Sequence, residues 1–409
     1  MGVAKAKMNE GRRKGRLGEE MALELHVLGT SSSRPAHGRE VSGSVVYANG
    51  KSILVDCGEG LQSRMLEHTR MLKANEWQTR LTHTRLDAIL FSHGHLDHSW
   101  GALPMLQSMA LDGRSRELKI AAPIHEQAHL ALLEDGYSAA IPNDVPAIDM
   151  IYQMRMWWQL WIEKIGNKKL FPIRWFTVSW VDDEQVWLEL FPVDSTIEEL
   201  EEPPVLVEDF QISPFQTEHS VPSCAWRIGL EERRGKFDRQ QADELKLLAS
   251  ERAQLANGND LERDGEILLA SDFRGQPMPG QSLLISGDTG ARPAGFKPLI
   301  EEPNLNLILH EATYLNEHEK KARDFKHSTA RDAANTAVRI GAEHLVLTHY
   351  SSRLSETGPS AEEARAVHDA VCCADDGDIF YIADDGEVRQ FRRENGYIFE
   401  IDEPFVPSQ

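Results

Sequence analysis

The residues most able to do chemistry sit in one short run, Ser92-His93-Gly94-His95-Leu96-Asp97-His98, directly after the apolar stretch Ala88-Ile-Leu-Phe. Three imidazoles and a carboxylate in six consecutive positions serve no hydrophobic core, because burying unpaired polar groups is costly; around a metal ion the same groups become ligands. A histidine-rich surface loop is the alternative, and the strand immediately upstream argues against it. A pair of ions needs more donors than one loop supplies, and His219, Asp288 and His349 are further candidates, each placed where an apolar run ends. Singly they are weak signals: His219, in Thr217-Glu-His-Ser-Val-Pro, also reads as an ordinary loop histidine. Mixed His and Asp donors suit Zn²⁺, and Mn²⁺ or Fe²⁺ accept the same set.

These side chains need a scaffold that gathers them, and the sequence repeats one device for doing so. Short apolar runs stop abruptly at an Asp or a His in Ser52-Ile-Leu-Val-Asp56, Ala88-Ile-Leu-Phe-Ser-His93, Leu283-Leu-Ile-Ser-Gly-Asp288, Leu305-Asn-Leu-Ile-Leu-His310 and Leu345-Val-Leu-Thr-His349. Such runs read as buried strands, and layered sheet proteins place ligands beyond strand ends. One Asp or His after a strand is commonly a turn residue or a cap; five in one chain point to a shared sheet edge. Helices fill the intervals. The clearest is predicted from Thr329 to about Ile340, with Ala330, Ala333, Ala334, Ala337 and Val338 on one face, a Thr329–Asp332 capping box and Gly341 at the left-handed C-terminal position.

Bulk properties narrow the function. The 409 residues, 41% of them hydrophobic, suffice for one large core or two ordinary ones. A formal net charge of -21 argues against nucleic-acid binding over the whole surface, so any RNA contact is local. Cys57, Cys224, Cys372 and Cys373 form no CxxC pair, which suggests reduced thiols. No apolar run is long enough to span a membrane and the N-terminus has no apolar signal region, so a cytoplasmic protein is expected.

Residues 1–20 read as a flexible basic tail and residues 21–409 as one domain, with an insertion at about 140–209. The first part of that insertion, 151–180, holds Trp157, Trp158, Trp161, Trp175 and Trp180 with Arg155, Lys164, Lys168, Lys169 and Arg174. Residues 181–209 are acidic, and about 231–262 reads as a charged, exposed excursion. The tryptophans could stack on unpaired bases while the cations follow phosphates, with Trp157, Trp158, Trp161, Lys168 and Lys169 as candidate substrate contacts. A hydrophobic hairpin or a dimer-forming surface accounts for them equally well.

The run from His93 to His98 has the HxHxDH pattern of the metallo-β-lactamase superfamily, and further segments resemble its ribonuclease Z family, which processes tRNA 3′ ends. They are Leu23–Ser33, Ile53–Met65 (ILVDCGEGLQSRM), His219–Ile228 (HSVPSCAWRI), Gln276–Thr289, His310-Glu311-Ala312-Thr313, His327-Ser328-Thr329 and His349–Leu354 (HYSSRL). The resemblance implies an α/β fold, the four-layer αββα sandwich of that superfamily. It further implies one metal held by His93, His95 and His219, a second by Asp97, His98 and His349, Asp288 bridging both, and Asp56 ordering the histidines by hydrogen bonding. Asp97, Glu311 and His327 become the catalytic candidates: Asp97 orients the attacking water and His327, held by Glu311, protonates the leaving 3′-oxygen. The expected substrate is a tRNA precursor, the products a 3′-hydroxyl RNA and a 5′-phosphate trailer, and the assembly a homodimer.

Two departures bear on the substrate. The family's early Pro-Thr-Lys-x-Arg-Asn-like loop is Pro35-Ala36-His37-Gly38-Arg39-Glu40 here, keeping Pro and Arg, with Arg39 as a candidate substrate contact. The family's protruding basic arm has no counterpart. A hydrolase of a small phosphodiester or other ester on the same fold is therefore the alternative, and a non-catalytic binding protein a third reading.

Overall fold

The computed structural model describes residues 22–164, 171–263, 265–275 and 277–405. The expected basic tail, together with Lys168, Lys169 and the side chain of Trp161, lies outside the described residues.

Nineteen strands appear among the described residues, and two large sheets form the centre of the molecule. In chain order the first eight strands are β1 (Leu23–Gly29), β2 (Gly43–Ala48), β3 (Lys51–Val55), β4 (Ala88–Leu90), β5 (Leu118–Pro123), β6 (Ile173–Val181), β7 (Glu184–Phe191) and β8 (Thr196–Leu200). They are followed by β9 (Gln211–Gln216), β10 (Cys224–Leu230), the small hairpin β11 (Leu261–Arg263) and β12 (Glu266–Leu268), β13 (Gln281–Ile285), β14 (Leu305–Glu311), β15 (Ala342–Thr348) and β16 (Val371–Cys373). The last three are β17 (Ile379–Ile382), β18 (Val388–Glu394) and β19 (Tyr397–Glu400). One sheet has the order β19-β18-β17-β1-β2-β3-β4-β5-β6-β7-β8 and the other β16-β15-β14-β13-β10-β9.

Burial explains the layers. Leu23, Leu25, Val27, Ile53 and Phe176 from the first sheet meet Trp226, Leu283, Leu307 and Val346 from the second in one apolar core between the sheets. The opposite face of the first sheet buries Leu54, Ile89 and Ile120 against the helices Leu61–Ala74, Ala102–Leu111, Glu126–Asp135 and Met150–Lys164. The opposite face of the second buries Leu284, Ile308 and Leu345 under the helices Ala330–Arg339 and Gly358–Arg365. Strands buried on both faces are apolar throughout rather than alternating. The architecture is the expected α/β sandwich of helix, sheet, sheet and helix.

The helix expected from Thr329 runs Ala330–Arg339, with Thr329 as N-cap in a reciprocal capping box with Asp332 and Gly341 at φ 66°. Its alanines are buried as expected, but Val338 is 53% exposed, because its Cβ lies beyond the edge of the alanine stripe. The excursion after β10 carries its own small core, in which Leu247, Leu255 and Phe273 are buried. Across 140–209, β6 continues the first sheet parallel to β5, and β7 and β8 extend it antiparallel.

Two parallel sets determine where chemistry can occur: β3, β4, β5 and β6 in one sheet, and β13, β14, β15 and β16 in the other. The C-terminal ends of both meet at one seam. There Cys224 N donates to Ser92 O at 2.9 Å and Trp226 Nε1 to Phe91 O at 2.9 Å, tying β10 to the segment that follows β4.

Candidate metal centre

Every charged residue in the centre follows a strand end at that seam. His93, His95, Asp97 and His98 come after β4, on and before the short helix Leu96–Ser99. His219 lies between β9 and β10, Asp288 just beyond β13, and His349 immediately after β15 with φ 58°. Gly94 allows the tight approach of the histidine segment, since a Cβ there would lie 2.0 Å from Ile148 O. Gln153, from the helix Met150–Lys164, donates to Gly94 O at 2.5 Å and accepts from Ser99 Oγ at 2.7 Å. Part of the tryptophan-rich interval thus supports the loop that carries the imidazoles.

The ligating atoms converge in two overlapping groups. His95 Nδ1 is 3.0 Å from both His93 Nε2 and His219 Nε2, and His98 Nε2 is 3.2 Å from His349 Nε2. Asp97 Oδ2 lies 3.7 Å from His98 Nε2 and 3.5 Å from His349 Nε2. The oxygens of Asp288 divide between the groups: Oδ1 is 3.3 Å from His98 Nε2 and from His349 Nε2, while Oδ2 is 3.7 Å from His93 Nε2 and 3.8 Å from His219 Nε2. All seven residues called as ligands from sequence are brought together.

These contacts fit cations better than a hydrogen-bonded core. Two nitrogens on a tetrahedral Zn²⁺ at about 2.0–2.1 Å stand about 3.3 Å apart, close to the separations here. Asp288 Oδ1 is buried and receives no hydrogen bond, which an apolar interior leaves costly. Burial also holds His93 well below its ordinary value and His95 at about 4, leaving both neutral as ligation requires. Burial lowers His219 likewise. Burial would raise the carboxyls of Asp97 and Asp288, but the surrounding imidazoles, His98 foremost for Asp97 and His349 for Asp288, hold both below the ordinary range.

Around these groups stands a supporting shell. Asp56, at φ 61° beyond β3, accepts from His98 Nδ1 at 2.8 Å, from Ser92 N at 2.7 Å and from Ser92 Oγ at 2.8 Å. Ser92 Oγ lies 3.0 Å from His93 Nδ1, so one carboxylate orients two imidazoles. Lys326 O lies 3.0 Å from His219 Nδ1, and Ser33 N donates to Asp97 Oδ2 at 2.7 Å. Sequence reasoning passed over Ser92, Ser33, Gln153 and Thr313. Ser92 was legible as the only polar residue between the strand and His93; Ser33 and Gln153 act through folding that no local pattern announces.

Beside the ligands is a proton-bearing pair. Glu311 is fully buried at the end of β14 and accepts from His327 Nδ1 at 2.8 Å, from Thr289 N at 3.0 Å and from Thr313 N and Oγ1 at 3.1 and 2.6 Å. Burial opposes a charged His327, yet the Glu311 and Asp288 carboxylates outweigh it and raise that imidazole to about 9. His310, which ends the same apolar run, faces away from the centre and is buried, with its Nδ1 at 2.7 Å from Glu311 O.

The expected substrate contacts divide differently. Trp157 is 1% exposed and packs on Phe91 at 5.2 Å between ring centroids, so it is part of the core and cannot stack on a base. Trp158 is partly buried and meets Trp175 edge-on at 6.5 Å. The Arg39 guanidinium donates to Leu354 O and Ser355 O at 2.9 and 3.1 Å and lies over the Tyr350 ring, so it secures the loop after β15.

Known proteins are similar to this chain in sequence and in fold. A model of the metallo-beta-lactamase superfamily matches residues 38–149. Ribonuclease Z of Halorubrum lacusprofundi is 27% identical over 366 residues, 88% of this chain and 98% of that protein. Ribonuclease Z of Methanosarcina mazei is 28% identical over 359 residues, 87% and 96% of the two chains. The crystal structure of human tRNase Z, short form, superposes with a TM-score of 0.50 at 18% identity, covering 87% of this chain and 98% of that one, which bears on the fold. The chain thus carries a metallo-beta-lactamase match over residues 38–149, and over most of its length it is similar to proteins named ribonuclease Z.

Proposed function

We propose that this protein is a metal-dependent endoribonuclease that cleaves tRNA precursors at the 3′ end. The observation that carries the reading is the division of Asp288 between two sets of ligands, with the His327–Glu311 pair directly beside it. In the proposal His93, His95 and His219 would hold one divalent ion and Asp97, His98 and His349 the other, with Asp288 between the two sets; Zn²⁺ suits the donors best. Such a pair supplies an activated water and neutralises charge building on the phosphodiester oxygens.

The remaining steps belong to the chain itself. Asp56 fixes the tautomer and direction of His98 through Nδ1. Asp97, held by the Ser33 amide, keeps one oxygen toward the ligand set and orients the attacking water. Glu311 anchors His327 by Nδ1 and leaves Nε2 to carry a proton to the departing 3′-oxygen. The products are a 3′-hydroxyl RNA and a 5′-phosphate trailer. A homodimer working in the cytoplasm completes the reading, carried by the family resemblance; among the described residues no helix is long and apolar enough to cross a membrane.

The test is to incubate metal-loaded protein with a 3′-extended tRNA precursor beside an aryl phosphodiester. Cleavage at the 3′ end, lost in His95→Ala and Asp288→Ala, is expected. Turnover of the small ester without the precursor favours the alternative hydrolase, a reading motivated by Arg39 being engaged with its own loop.

A further inference from the structure

The centre opens on one side into a cavity of about 310 Å³ that the chemistry above does not use. Four segments, Pro146 among them, line it. Trp180, near the end of β6, forms one wall; Glu126 begins the helix after β5; Gln216 ends β9, and Ser220, Val221 and Pro222 belong to the turn that follows it. His219 is shared between the cavity and the ligand set, and Ser220 Oγ stands 3.4 Å from His95 Nε2. The cavity is therefore continuous with the place where a phosphodiester must lie.

Its lining selects the part of a nucleotide that fits. Among the described residues no Lys or Arg lines it, and Glu126 contributes a carboxylate, so the lining carries no fixed cation to hold a phosphate. A planar, neutral group with N–H donors suits it: the Trp180 indole is part of the wall, Val221 and Pro222 supply apolar surface, and Glu126 and Gln216 carry acceptor oxygens for ring or exocyclic nitrogens. Trp180 is only partly buried, its inner edge packed on the core between the sheets, which makes it rigid at little entropic cost. The volume is at the lower end of those that take small ligands, about 300 Å³.

We propose that this cavity is a nucleobase subsite for a nucleotide adjoining the scissile phosphate, with Trp180 as its stacking platform. The inference rests on the endoribonuclease reading and adds to it where an unpaired base is held. It also reassigns the expected base-stacking role within 151–180 from Trp157 to Trp180.

Precursor RNAs carrying an abasic residue in turn at each nucleotide flanking the cleavage site test it with the wild-type protein. At one of these positions KM is expected to rise about ten- to hundredfold, the range base–aromatic stacking supports. Trp180→Ala should raise KM for intact RNA by a similar factor, Trp180→Phe by only a few-fold, and Trp180→Ala should add nothing on the abasic RNA. Losses that multiply instead of coinciding, or abasic substrates cleaved as well as intact ones, overturn the subsite. Should Trp180→Ala fold poorly, the abasic series and Trp180→Phe still decide. Wild-type protein that hydrolyses an aryl phosphodiester but no RNA removes the endoribonuclease reading and the subsite with it, whereas RNA cleavage indifferent to the abasic residue removes the subsite alone.

Discussion

Asp56 Oδ2 accepts from His98 Nδ1 at 2.8 Å while its Oδ1 accepts the Ser92 amide, so a residue outside the ligand set fixes the direction of an imidazole inside it. Asp56→Asn tests this relationship, and Asn suits a residue at φ 61°. The substitution should weaken metal affinity about ten- to hundredfold, the usual cost of removing such a partner. Competition with a chromophoric chelator measures it; unchanged affinity would mean that Asp56 only shapes the backbone.

Removing the proton donor should matter in proportion to the leaving group's need. His327→Ala and Glu311→Gln are each expected to lower kcat on an RNA substrate by about 10²–10⁴-fold with little change in KM. On a p-nitrophenyl ester, whose leaving phenolate needs no proton, the loss should shrink to a few-fold. Equal losses on both substrates would make His327 a structural group.

Gly94 and Gln153 predict a coupling between the helix Met150–Lys164 and the metal centre. Gln153→Leu breaks the bonds to Gly94 O, Ile148 O and Ser99 Oγ, at a cost of about 1–3 kcal/mol. Gly94→Ala forces a Cβ to within 2.0 Å of Ile148 O and should be the more damaging. Melting curves with and without added Zn²⁺ check this: both variants should lose part of the metal-induced rise in Tm.

Acid sensitivity should arise partly from His129. This histidine is 1% exposed on the helix Glu126–Asp135, its Nδ1 has no partner, and burial lowers its pKa to about 4. The folded protein resists a proton that the unfolded chain accepts at the ordinary 6.5. Stability is thus unaffected by this group above about pH 6.5 and falls as pH drops toward 4, by an amount on the order of 3 kcal/mol. The difference in unfolding free energy between wild type and His129→Leu, measured from pH 7 to 4, should grow in favour of the variant as the solution becomes more acidic. A constant difference would remove His129 as a source.

The centre was legible because ligands follow strands. The runs ending at Asp56, His93, Asp288 and His349 each gave a buried strand and a polar residue past its end, and pleated geometry delivers those to one edge. The strand that ends in Leu-His310-Glu311 shows the limit of that rule: adjacent residues face opposite sides, so only Glu311 enters the centre. Trp157 and Trp158 misled for a related reason, since a tryptophan carries the same signal whether it stacks on a base or fills a core. What distinguishes them is which helix face meets the sheet, and the sequence around Met150–Lys164 is apolar on more than one face. Long-range supports such as Ser33 on Asp97 have no local signature at all.

Four of the seven candidate cation-holding groups follow a strand of one sheet and three follow strands of the other, with the seam at Cys224 and Ser92 between them. Neither side brings the full ligand set by itself. On the proposed reading, synthesis must pass His349 and the two sides must dock before any RNA nearby can be cut. The same layout would make bound ions a bolt across the sandwich, so starving the protein of metal should loosen its seam before it unravels either sheet.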